Sequence, residues 1–90
     1  MPHTRLSGDE ITRRGEDVYE RSLRANVETE ENIGKIISID VETGDYEIGN
    51  DVIATGRHLL TRHPDAAILM KRIGYNAVYA VGGTLRRTTK

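Results

Sequence analysis

The spacing of apolar residues changes abruptly near Ile33, and that change constrains the fold more than any other feature of the 90-residue chain. Upstream, Ile11, Gly15, Val18, Tyr19, Ser22 and Leu23 recur at three- and four-residue intervals, which is one face of a helix. Downstream, Ile37, Ile39 and Val41 alternate with Ser38, Asp40 and Glu42, which is the pattern of a strand buried on one side. A helix must therefore be followed by sheet within one short chain, and the fold class is α+β.

The helix, placed over residues 6–26, has a marked start. Ser7 is a good N-cap, and Glu10 three residues later completes a capping box. Leu6 and Ile11 are spaced as a hydrophobic staple. The outer face carries Arg13, Arg14, Asp17, Glu20, Arg21 and Arg24. Gly15 in the middle lowers helix propensity by about 1 kcal/mol relative to Ala. The stripe formed by Ile11, Val18, Tyr19 and Leu23 is narrow, and the expectation is that it receives a partner protein.

An acidic connector with Glu28, Glu30 and Glu31 leads to the first strand. Thr43-Gly44-Asp45 is a turn signal, and Tyr46-Glu47-Ile48 makes the return strand of a β-hairpin. Asn50 or Asp51 caps a second helix reaching about Arg62, with Val52, Ile53, Gly56, Leu59, Leu60 and His63 on one face. Pro64 ends it. Ala67 to Ile73 and Ala77 to Val81 are β-forming. Gly74-Tyr75-Asn76 between them is either a turn, giving a second hairpin, or a bend in one strand. The expected organisation is a single domain, 1–90: an N-terminal helix, a ββαββ unit over 33–82 in which two β-hairpins are joined by a helix, and a basic tail over 83–90.

The core of such a domain is thin. The chain has no Trp, no Phe and four Tyr, so Ile, Val, Leu and Ala must fill it. A chain this short buries only about 60–65% of its unfolded surface. A second copy would complete the core and cover the sheet edges, so a homodimer is expected. There is no Cys, which removes thiol chemistry and disulfides. No apolar run approaches the roughly 20 residues that span a bilayer, and the first residues lack the apolar stretch of a secretory signal. A cytoplasmic protein with no membrane association is expected.

Charge divides along the chain. Residues 1–32 hold 5 Arg against 8 acids, residues 33–56 hold 1 Lys against 5 acids, and residues 57–90 hold 7 Lys and Arg against 1 acid. Arg57, Arg62, Lys71, Arg72, Arg86 and Arg87 are candidate phosphate contacts, with Tyr75 or Tyr79 available to stack on bases. The acidic front opposes nucleic acid, so a solvated basic face is preferred.

Candidate chemistry fails on geometry. The acidic run from Asp40 to Asp51 holds Asp45 and Asp51 where an EF-hand loop needs glycine and a bidentate Glu. Asp40 and Glu42, about 7 Å apart on one strand face, lack the cleft that paired carboxylates use in glycoside hydrolysis, and are expected on a polar outer face. His58 and His63 are five residues apart and point about 140° away from each other on a helix. That is not metal-ligand spacing. Ser7 is a cap, and neither it nor Ser38 lies in a nucleophile-elbow motif. No catalytic residue, metal or cofactor is assigned.

The segment Gly34–Gly83, two strand pairs around a helix, resembles in order and length the swapped-hairpin domain of AbrB-like and MazE-like regulators, many of them antitoxins. The resemblance implies two chains interleaving their hairpins into a dimeric barrel that grips DNA with basic residues around the first hairpin. Here the corresponding stretch, Lys35 to Asp51, is acidic. The chain also resembles small uncharacterised bacterial, often cyanobacterial, proteins through Ile39-Asp40-Val41-Glu42-Thr43-Gly44-Asp45-Tyr46-Glu47-Ile48 and Arg72-Ile73-Gly74-Tyr75. Two functional expectations follow. One is a non-enzymatic, dimeric, antitoxin-like interaction protein that binds a partner protein. The other is a DNA-binding transcriptional regulator using the basic C-terminal third.

Overall fold

The structure, a computed structural model, describes residues 6–75 and 78–81. Helix α1 (Gly8–Val18) opens with the expected capping box: Ser7 Oγ accepts from Glu10 N at 3.1 Å, and Glu10 Oε1 accepts from Ser7 N at 3.2 Å. Leu6 and Ile11 meet in one apolar cluster, as a hydrophobic staple does. The helix continues through a π turn, Tyr19–Leu23, into a last short α segment, α2 (Arg24–Val27).

The buried positions of this continuous helix are Ile11, Gly15, Tyr19, Leu23 and Val27, every fourth residue. An α-helix advances about 100° per residue, so a four-residue repeat drifts about 40° per step and would leave the sheet. The π turn winds less per residue and takes back part of that drift. Its signature is the Arg24 N–H donating to the Tyr19 carbonyl, five residues back.

Four strands follow the order β2-β1-β3-β4, all antiparallel: β1 (Ile36–Asp40), β2 (Tyr46–Gly49), β3 (Ile68–Arg72) and β4 (Val78–Val81). Helix α3 (Val52–Arg62) joins the two hairpins. Its cap is Asp51, whose carboxylate accepts from Ile53 N at 3.1 Å. The Gly74 region is a turn, so the second pair is a hairpin. Both turns use glycine in the left-handed region, Gly44 at φ +83 and Gly74 at φ +87.

The sheet is covered on both faces, and this overturns one expectation. Ile37, Ile39 and Ile73 pack with Tyr19, Leu23 and Val27 of the N-terminal helix. On the other face Ile68 and Met70 pack with Leu59 of α3 and with Ala66. The central strand β1 is therefore buried at every position. Ser38 and Asp40, expected on a solvated face, are fully buried. The alternation of β1 separates two buried faces, one apolar under α1 and one partly polar under α3. Glu42 lies beyond the strand end, so it does not share a strand face with Asp40.

Candidate interaction surface

The polar groups of the α3 side are mutually satisfied. Ser38 Oγ lies 3.0 Å from Thr55 Oγ1, which also bonds the carbonyls of Asp51 and Val52 at 3.2 and 3.1 Å. Asp40 closes the turn after β1 by accepting from the Glu42 and Thr43 backbone N–H groups at 3.0 and 3.4 Å. At the same end of the sheet, the C-terminal end of α3 is clasped to the first hairpin. Arg62 donates to Asp45 at 2.9 Å, to Glu47, and to the Tyr46 carbonyl at 3.4 Å. The Arg62 guanidinium, then His63, holds the Asp45 carboxyl down to about 2. The Asp45 carboxylate in turn raises Arg62 further.

His63 sits between two carboxylates, Nε2 at 3.0 Å from Asp45 Oδ2 and Nδ1 at 3.8 Å from Asp40 Oδ2. Sequence spacing placed this residue on an apolar face. The structure instead makes it the α3 C-cap beside the hairpin. Both ring nitrogens face acidic groups of the chain itself, and the Ser38 hydroxyl is spent on Thr55. The cluster ties α3 to the hairpin and presents no nucleophile–base pair. Among the described residues no group of three or more His, Asp and Glu side chains is arranged to hold a metal ion.

The expected partner stripe is turned inward. Ile11, Tyr19 and Leu23 are buried against the chain's own sheet, and Val18 packs half-buried at their margin. These side chains form the core, so a partner cannot reach them in this fold. Tyr19 also donates its hydroxyl to Glu28 Oε2 at 2.6 Å. Burial, followed by that bond, raises the phenol's pKa above its usual value.

The candidate phosphate contacts are dispersed. Lys71 is buried under α1, its Nζ 4.9 Å from the Tyr19 ring centre, bonding the Tyr75 carbonyl at 3.0 Å and lying 3.6 Å from Glu16. Arg62 is bound within the clasp. Arg72 donates to the Gly34 carbonyl at 2.7 Å. Arg57 is exposed on α3. Arg86 and Arg87, and with them the basic tail, lie outside the described residues, and nothing is described of the Tyr79 side chain.

What the chain does present is apolar. Five large apolar side chains are exposed among the described residues: Ile33 at 47%, Val52 at 36%, Ile53 at 67%, Leu60 at 38% and Tyr75 at 56%. Topology gathers four of them. The connector with Ile33 enters β1, α3 begins with Val52 and Ile53 just after β2, and Tyr75 lies in the turn after β3. All three places are at the end of the sheet marked by Ile36, Gly49 and Arg72, which pair with one another across the strands. The clasp occupies the opposite end.

Sequence reading missed this surface. It placed Ile53 and Leu60 on the inward face of α3, whereas Thr55, Gly56 and Leu59 face the sheet. The signals were Gly56 and Thr55. A Cβ at position 56 would meet Met70 at 2.8 Å, so the small residue marks the closest approach of helix to sheet. Comparison with protein-family models, curated proteins and solved structures finds no match.

Proposed function

We propose that this chain is a non-enzymatic interaction protein, dimeric and antitoxin-like, that acts in the cytoplasm by docking another protein chain on the apolar end of its sheet. One observation carries the reading: Ile33, Val52, Ile53 and Tyr75 are each exposed, and the strand register and connections put all four at that end. Clustered apolar exposure of this kind marks interaction surfaces, whereas singly scattered residues do not. The polar clusters point the same way, because Asp40, Asp45, Glu47, Arg62 and His63 are satisfied by one another and by the backbone. No helix among the described residues is long and apolar enough to cross a membrane.

The DNA-regulator alternative requires cations on one accessible face. Of the six candidates, Lys71 is buried, and Arg62, though exposed, is engaged by Asp45 and Glu47.

The test is a titration of the purified protein with the product of the neighbouring gene, followed by calorimetry, beside a gel shift with its own upstream DNA at low salt. Saturable protein binding that is lost on placing a Glu at Tyr75 supports the reading. A gel shift that weakens steeply with salt, without protein binding, would replace it with the regulator.

A further inference from the structure

At the β2 edge the chain covers its own backbone, and we infer that the clasp is an edge guard: Asp45 and Arg62 hold β2 closed against β2 of a second copy, which pairs there once the guard is removed. β2 is the outermost strand of the sheet, and among the described residues no strand pairs with its outer side. An edge of this kind is a template for another strand.

The phase of the ladder decides which groups face outward. The Asp40 N–H donates to the Asp45 carbonyl at 2.8 Å, so the Asp45 main chain faces β1. Main-chain groups of an antiparallel strand turn to alternate sides, so Glu47 and Gly49 also face β1, while Tyr46 and Ile48 face away from it. Both outward groups of Tyr46 are taken. Its N–H donates to Asp45 Oδ1 at 2.9 Å, and its carbonyl accepts from Arg62 Nη2 at 3.4 Å. Each capping group is itself held in place. Asp45 Oδ2 accepts from Arg62 Nε at 2.9 Å and lies 3.0 Å from His63 Nε2. Arg62 Nη1 donates to Glu47. The three guanidinium nitrogens are thus spent on three acceptors along one strand, a fork that lysine lacks.

Within β2 only Ile48 keeps outward groups to offer, and one residue does not make a ladder. Side-chain placement identifies the excluded strand. Tyr46 and Ile48 lie half-buried at the margin of the apolar cluster beneath the N-terminal helix. Two copies of β2, antiparallel about a two-fold axis, would set these margins against each other and continue the sheet.

Sedimentation velocity of the full chain at neutral pH, over a wide range of protein concentration, tests this. Asp45→Ala with Arg62→Ala opens the edge. The concentration at which this variant self-associates should fall roughly tenfold or more relative to wild type, the scale of the main-chain hydrogen bonds gained. Arg62→Ala alone leaves Asp45 on the Tyr46 N–H. It should show a smaller shift in the same direction, and it decides the matter if the double variant does not fold. Gly15→Ala, crowded against Leu69 with the guard intact, should match wild type. In the opened variant the Tyr46 and Ile48 amides should exchange with solvent more slowly as concentration rises, because a new strand protects them.

Three results would count against the proposal. An opened variant that is folded by circular dichroism, yet associates no more than wild type, removes the guard. Equal association in Gly15→Ala assigns the effect to lost stability and not to the edge. Association without slower exchange at Tyr46 and Ile48 places the contact elsewhere on the molecule.

Discussion

Gly15 of α1 lies against Leu69 of β3 so closely that a methyl group on Gly15 would stand 2.5 Å from Leu69 Cδ2 and 2.6 Å from its Cβ. The second contact matters more. A leucine can swing its δ-carbons to another rotamer, but its Cβ is fixed by the backbone. Helix and strand would have to separate to admit the methyl group.

Gly15→Ala is therefore expected to destabilise, although it improves helix propensity by about 1 kcal/mol. Overpacking of this kind costs about 1–3 kcal/mol, and here the net loss should be about 1 kcal/mol or more. Urea denaturation followed by circular dichroism measures it. A midpoint at or above wild type would show that α1 floats on the sheet instead of seating on it.

The buried hydroxyl pair makes a second, asymmetric expectation. Thr55→Val leaves Ser38 without its partner in a fully buried position, at a cost of about 1–3 kcal/mol. Ser38→Ala leaves Thr55 its backbone carbonyls, so the loss should be nearer 1 kcal/mol. The double variant should be less destabilised than the two single losses added together. Strict additivity in chemical denaturation would mean that the pair does not interact.

Acid stability should report the clasp. The Asp45 carboxyl has an ordinary value of 3.8 and is held to about 2 in the fold. Its folded value is depressed, so its stabilisation is complete above about pH 4 and is lost as pH falls through about 2. Wild type should exceed Asp45→Asn in urea midpoint at neutral pH, and the two curves should converge by about pH 2. A gap that is constant across this range would assign the difference to the turn and not to the charge.

The local signals were readable in the residues. Ser7 and Glu10 announce the capping box, Gly44 the first turn and Pro64 the end of α3, whereas Gly74 fits both a turn and a bend in one strand until β3 and β4 are seen to pair. The layer count was not. Alternation in Ile36–Asp40 records which residues share a face, but it does not record whether water or a helix lies on the polar face. Ser38 and Asp40 find partners in Thr55 and in the backbone of the next turn, and only the closed fold brings Thr55 within reach.

The outward face of α3 was misread for a related reason. Val52, Ile53, Leu59 and Leu60 crowd one helix with aliphatics, and hydropathy ranks them alike. Small residues decided the orientation, since Gly56 lets Met70 approach where a larger side chain would hold the sheet away. The same error assigned the α1 stripe to a partner. A stripe on a short helix looks unpartnered until two hairpins, folded in one chain, supply a sheet to cover it.

The π turn at Tyr19–Leu23 gives the long helix one residue of slack. Removing Ser22, which is exposed, would shorten the interval between the Tyr19 and Leu23 side chains from four residues to three. A regular α-helix accommodates that interval on the same face. Both flanking seats on the sheet would stay filled, and the shortened chain should melt within a few degrees of wild type. Removing Asp17 instead disturbs a stretch with no surplus, and it should unfold the domain. A helix that can give up a residue in one place and not in its neighbour measures, by its tolerance, where its winding was adjusted to keep step with the strands beneath.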